Sequence, residues 1–178
     1  MAALTACGQP AVNLAPATSQ GPGTPVVKVK IPAAEPSRIR IPSIAVDSAI
    51  IPVALRPDGA MQTPDFGIAG WYRPGPIPGN PGPAVIVAHV DSKKGPDVFF
   101  RLRELKPGNE ISVSNADGAQ HRFRVDSLEQ TSKDQLPVER IWASTSDPVL
   151  RLLTCGGRFD RATGHYVDNV IVYASAAL

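Results

Sequence analysis

Proline and glycine punctuate this chain so densely that no long helix fits between them. Nineteen prolines and fifteen glycines fall among 178 residues. Each proline removes a backbone donor, and each glycine favours a turn. The stretches between these breaks are short, and they are apolar or alternating rather than helical in period. Such a pattern supports strands joined by turns. A hydrophobic content of 43% is enough for a core, and the length suits one domain plus a tail. The expected fold is all-β, with roughly seven or eight short strands closing, or nearly closing, into a barrel.

Residues 1–35 read as a Pro/Ala/Gly-rich disordered linker, with Gly8-Gln9-Pro10 and Gly21-Pro22-Gly23-Thr24-Pro25 unable to bury much surface. Residues 36–178 form the expected folded domain. Within the tail, Leu4-Thr5-Ala6-Cys7 has the form of a bacterial lipobox, whose cysteine is lipidated, although only Met1-Ala2-Ala3 precedes it. Two readings stay open: a signal whose start is truncated or misplaced, and an accidental match. The chain's other cysteine is Cys155. A disulfide between them is disfavoured, because nothing in the tail would hold Cys7 at the geometry a disulfide demands. The net charge is only +2, with no long basic, aromatic-interleaved stretch, which argues against nucleic acid as a partner. No apolar run is long enough to span a bilayer.

Along the domain, Arg38-Ile39-Arg40-Ile41 alternates before Pro42-Ser43 interrupts it, as on an edge or at a bulge. A second strand is expected at 48–53, then a turn at Pro57-Asp58-Gly59. Residues 67–83 read as an ordered surface loop, with Trp71 as a packing anchor. Residues 84–90 read as a buried strand and 98–105 as a short helix or turn. Residues 110–113 and 120–128 alternate well enough to form a hairpin around Asn115-Ala116-Asp117-Gly118. One helical turn is expected within 136–144, and final strands at 149–154 and 166–174.

The chemistry concentrates in Leu152-Leu153-Thr154-Cys155-Gly156-Gly157 and in Ala84-Val85-Ile86-Val87-Ala88-His89. Each apolar run delivers one reactive side chain at what reads as a strand end. A thiol and an imidazole so presented suggest a nucleophile and its proton partner. A free thiol has a pKa of about 8.5, so activation is expected, and Arg158 or Arg161 after the cysteine could stabilise a thiolate or an oxyanion. A buried cysteine acting as a small hydrophobe is the bland alternative.

The order of these segments resembles the sortases, the cysteine transpeptidases of Gram-positive cell surfaces. Arg151-Leu152-Leu153-Thr154-Cys155 matches the family's Thr-Leu-x-Thr-Cys motif at all but its first position, and Val85-Ile86-Val87-Ala88-His89 resembles its histidine strand. Phe100-Arg101-Leu102 with Leu105-Lys106-Pro107-Gly108-Asn109-Glu110-Ile111 looks like the stretch that follows. Gly70-Trp71-Tyr72, His89-Val90-Asp91-Ser92 and Cys155-Gly156-Gly157 with Asn169-Val170-Ile171-Val172 are similar to the actinobacterial class F branch.

The resemblance implies an eight-stranded β-barrel with short helical turns in its loops, and His89 and Cys155 facing each other at its rim. It implies cleavage of a Leu-Pro-x-Thr-Gly-like sorting signal between Thr and Gly, through a thioacyl-enzyme. An amine then resolves the intermediate, whether from a peptidoglycan precursor or a pilin lysine. No cofactor and no metal are implied. The protein is expected as a monomer at the extracellular face of the cytoplasmic membrane or in the cell wall, tethered there if Cys7 is acylated. The family arginine lies on the strand after the cysteine loop, and the resemblance sets Asn169 at that position, with Val167 on the same face. The nearest candidates are Arg161 and Arg158, of which Arg161 is favoured because it could fold back over the thiol. Asp91 is expected either to orient His89 or to stabilise a turn. His121 reads as structural and His165 as a rival base. A hydrolytic cysteine peptidase and a non-catalytic surface-binding barrel are the alternatives, while the Ser/Thr-His-Gly-Cys motif of L,D-transpeptidases is absent.

Overall fold

The computed structural model describes residues 34–177. The expected linker up to residue 33, with the Cys7 motif, lies outside the described residues. Ten strands follow in order: β1 Pro36–Ile41, β2 Val46–Val53, β3 Ala69–Tyr72, β4 Gly82–Val87, β5 Asp91–Ser92, β6 Gly95–Pro96, β7 Glu110–Asn115, β8 Gln120–Ser132, β9 Pro148–Asp160 and β10 His165–Ala176. Eight of them close a barrel in the order β1-β2-β3-β4-β9-β10-β8-β7, while β5 and β6 form a separate small ribbon. Pairing is antiparallel except for β2 with β3 and β4 with β9, which run parallel. The one α-helical turn among the described residues, α1 Val138–Ile141, follows Pro137 in the β8–β9 connection.

Strand alternation fills the barrel. Ile39 and Ile41 of β1, Ile111 and Val113 of β7, and Phe123 and Val125 of β8 point into one core with Ala84, Ile86, Leu150, Leu152, Val170 and Val172. Phe99 and Leu102, both fully buried, plug the barrel from the β6–β7 connection. Burying each such side chain stabilises by about 1.5–3 kcal/mol. The region 98–105 contributes a single 3-10 turn, Leu102–Glu104.

A second cluster explains why β4, and β9 apart from Arg151, read as apolar runs. Val85, Ile141, Ile171 and Tyr173 pack on the outside of the wall, with Leu136 and Trp142 laid over them from the β8–β9 connection. Strands covered on both faces lose the polar alternation of half-exposed ones. Two guanidiniums grip the Tyr173 ring, Arg140 at 3.9 Å and Arg151 at 4.9 Å from its centroid.

The sequence expectation fails in one element. Residues 69–72, read as loop, form β3 in the wall. Their flanks are rich in Gly and Pro, and Gly70 sits in the strand itself because a Cβ there would come within 2.7 Å of the Val53 side chain. Close approach of a neighbouring strand, not a turn, requires that glycine. Trp71 is the packing anchor expected, 2% exposed, with its indole N–H donating to the Pro76 carbonyl at 3.0 Å. His121 is structural, with its Nε2 3.0 Å from Asn115 Nδ2.

Candidate active site

The parallel pairing of β4 with β9 sets the site. Val87 lies level with Leu153, Val85 with Arg151, and every partner along the pair is offset by the same 66 residues. That offset is also the separation of His89 from Cys155. The histidine segment stays tied to β9 beyond the last strand pair: the Ala88 N–H donates to the Leu153 carbonyl at 3.3 Å, and the Thr154 hydroxyl donates to the Ala88 carbonyl at 2.8 Å. The outer face of the wall therefore runs in rows. Val85, Arg151 and Tyr173 form one, Val87, Leu153 and Ile171 the next, and Cys155 and Asn169 the last, with His89 two residues beyond the end of β4. The first row is buried, whereas Val87 and Leu153 of the second are half-buried, as are His89, Cys155 and Asn169.

Cys155 is thus not at a strand end. It lies mid-strand in β9, which continues to Asp160. The thiol is half-buried and lines a cleft on either side. Gly156 pairs with Asp168 and Phe159 with Tyr166, so β9 carries one extra residue between these pairs. Gly157 takes φ +74° in this bulge, the left-handed conformation that favours glycine. The glycines after the cysteine serve a bulge rather than a chain end.

His89 and Cys155 border one open cleft of about 610 Å³, with Phe66, Asp91, Lys93, Lys133, His165 and Tyr166 also on its walls. The His89 Nε2 lies 3.0 Å from the Pro64 carbonyl oxygen. A carbonyl only accepts, so Nε2 carries the proton and Nδ1 is the nitrogen left for proton transfer. Phe66 packs on the ring with centroids 4.4 Å apart. Asp91 does not orient His89. Its carboxylate accepts a 2.5 Å hydrogen bond from the Tyr166 hydroxyl, closing the His89 loop onto β10. That bond, followed by burial, raises the Tyr166 pKa.

The arginine expected from the hairpin is not brought in. Arg161 sits exposed in the turn between β9 and β10, and Arg158 is exposed beside it. Neither lines a cleft that Cys155 borders. The strand position beside Cys155 holds Asn169. His165 is exposed on the same cleft as His89. Thr154, Tyr166 and Pro64 each act through a partner distant in sequence, which residue type and spacing do not reveal.

The family model for the sortase domain matches residues 39–177. The chain belongs to the sortase family. No curated relative matches its sequence. Among solved structures this sortase is similar to sortase C-1 from Actinomyces oris, at 19% identity and TM-score 0.61, covering 80% of this chain and 73% of that one. Sortase C1 from Streptococcus suis is similar at 18% identity and TM-score 0.63, covering 82% and 74%. Sortase A from Corynebacterium diphtheriae is similar at 17% and 0.63, covering 84% and 63%. The eight-stranded closed barrel is the sortase fold, and membership in the family makes the protein a cysteine transpeptidase.

Proposed function

We propose that this sortase cleaves a Leu-Pro-x-Thr-Gly-like sorting signal at Cys155 and transfers the acyl part to an amine. The observation that carries this reading is an apolar groove ending at the reactive row. Val85, Val87, Leu153, Leu136, Val138 and Trp142 help line about 450 Å³ on the outer wall, one row short of His89 and Cys155. A peptide whose apolar residues fill that groove carries its scissile carbonyl to the thiol.

The Cys155 thiolate attacks that carbonyl. The S–C bond forms, and the carbonyl electron pair moves onto oxygen. His89, holding its second proton on Nδ1, gives it to the departing nitrogen as the C–N bond breaks, leaving a thioacyl-enzyme and a free amine. The incoming amine attacks in turn, loses a proton to Nδ1, and expels the thiolate. A peptidoglycan-precursor amine and a pilin lysine both meet this requirement. We place the protein in the class F branch on Gly70-Trp71-Tyr72, His89-Val90-Asp91-Ser92 and Cys155-Gly156-Gly157. The class C and class A structural likenesses, at 16–20% identity, speak to fold alone. Among the described residues no helix is long and apolar enough to cross a membrane. Work at the cell surface with a tether at Cys7 is part of the proposal.

The test is incubation with Leu-Pro-x-Thr-Gly peptides, x varied, with and without an added amine. An acyl adduct on Cys155 and an amine-dependent ligation product are expected. Product that forms equally without amine identifies a hydrolytic peptidase, and peptide binding without an adduct leaves a non-catalytic barrel.

A further inference from the structure

Two clefts border Cys155, and they differ in charge and in what they can do. The larger opens on the His89 side and carries Lys93 and Lys133. The smaller, about 230 Å³, lies toward the barrel mouth between Thr154, Cys155, Gly156, Gly157 and Tyr166. Arg103 is the only ionised side chain on the smaller cleft's walls. Both sides are needed in acyl transfer, because the departing or arriving amine and the oxyanion project from the tetrahedral carbon in different directions. The amine must be on the His89 side, where its proton is exchanged. The oxyanion then falls to the other cleft, beside the glycine-rich backbone after the nucleophile.

We propose that Arg103 supplies the guanidinium that stabilises the oxyanion at Cys155, in place of the arginine that β10 lacks. This inference rests on the transpeptidase reading of the same site. Arg103 projects from the 3-10 turn Leu102–Glu104, whose Leu102 is fully buried. The Leu102 N–H donates to Phe99 at 3.1 Å and the Leu105 N–H to Leu102 at 3.2 Å, so the base of the side chain is fixed. Its neighbour Arg101 is occupied by Glu104 at 2.7 Å, whereas Arg103 forms no ion pair among the described residues. The guanidinium lies 5.9 Å from the Phe100 ring centroid. Its field also favours ionisation of the Tyr166 hydroxyl, which places its charge near the rim of this cleft. Asn169, level with Cys155 on β10, is neutral and leaves the charge requirement to a residue from another element.

The experiment measures single-turnover acylation of Cys155 by Leu-Pro-x-Thr-Gly peptides in R103Q and R161Q, with thermal denaturation of each. Losing one oxyanion donor costs about 10²–10³ in rate. R103Q should therefore slow by at least about a hundredfold in acylation rate with its Tm nearly unchanged, because Arg103 is exposed. R161Q should stay within about threefold, the range of an ordinary surface substitution. R103Q acylating at the wild-type rate, or R161Q carrying the large loss instead, overturns the assignment while leaving the transpeptidase reading intact. A wild-type chain that forms no adduct overturns both.

Discussion

Removing one hydroxyl group should uncouple the histidine from the cysteine. Thr154 is 6% exposed, as is Ala88, and its hydroxyl is the donor that reaches the Ala88 carbonyl at 2.8 Å. Thr154→Val keeps the side-chain shape and deletes the donor. A buried acceptor left without its partner costs about 1–3 kcal/mol. A domain of this size loses about 2–4 °C per kcal/mol, so Tm should fall by roughly 2–12 °C. The catalytic effect should be larger. The remaining tie, from the Ala88 N–H to Leu153, is long at 3.3 Å, and His89 is the next residue. Misplacement by about 1 Å can cost about 10² in rate. Thr154→Ser retains the donor and loses one methyl group, worth about 0.8 kcal/mol. It should acylate within a few-fold of wild type. Thermal denaturation and single-turnover acylation, followed by mass spectrometry, read both effects. The reasoning is refuted if Thr154→Val keeps the wild-type Tm and rate, or if Thr154→Ser is as slow as Thr154→Val.

Other predictions concern the reacting groups, the groove and the rim. Cys155→Ala and His89→Ala should each abolish adduct formation while circular dichroism and Tm stay near wild type, since neither side chain belongs to the core; substantial turnover in His89→Ala would move the acid–base role to His165. Val138 is 52% exposed on the groove, so Val138→Asp should raise KM for the sorting peptide with kcat and Tm little changed, and an unchanged KM would place the peptide elsewhere. Tyr166 titrates above its ordinary value of 10.0, chiefly because it donates to Asp91. A raised folded pKa contributes stability that is fully present below the unfolded pKa and lost as pH rises through the folded one. The Tm advantage of wild type over Tyr166→Phe should therefore hold at neutral pH and shrink above about pH 10; Tyr173, also raised, titrates in both proteins and cancels. A constant difference across that range would refute the tie.

Much of the barrel is legible in the sequence because strand period and turn residues are local properties. The alternation of Arg38–Ile41 and of 120–128, the Asn115–Gly118 turn and the apolar centre Val170-Ile171-Val172 each appear as strands or turns where expected. β3 was not legible, because Gly70 and the prolines around it carry a turn signature, and only the nearness of Val53 gives the glycine another use. The same holds for Gly156 and Gly157, which read as a chain end and prove to be a bulge.

By itself the sequence determined which side chains could react. A thiol after Leu152-Leu153-Thr154 and an imidazole after Val85-Ile86-Val87-Ala88 are chemical facts at fixed positions. It also determined that β10 offers Asn169 where an arginine was expected. Only the tertiary structure decided that a separation of 66 residues is the register of β4 on β9, that Cys155 lies mid-strand and half-buried, and that Asp91 serves Tyr166 rather than His89. It likewise decided which arginine shares a cleft with the thiol, Arg103 and not Arg161. The physical reason is common to all of these. Residue type and period act over a few neighbours, whereas a site on a barrel wall is assembled by hydrogen-bonded strands distant in sequence, and their register is fixed only when the whole sheet closes.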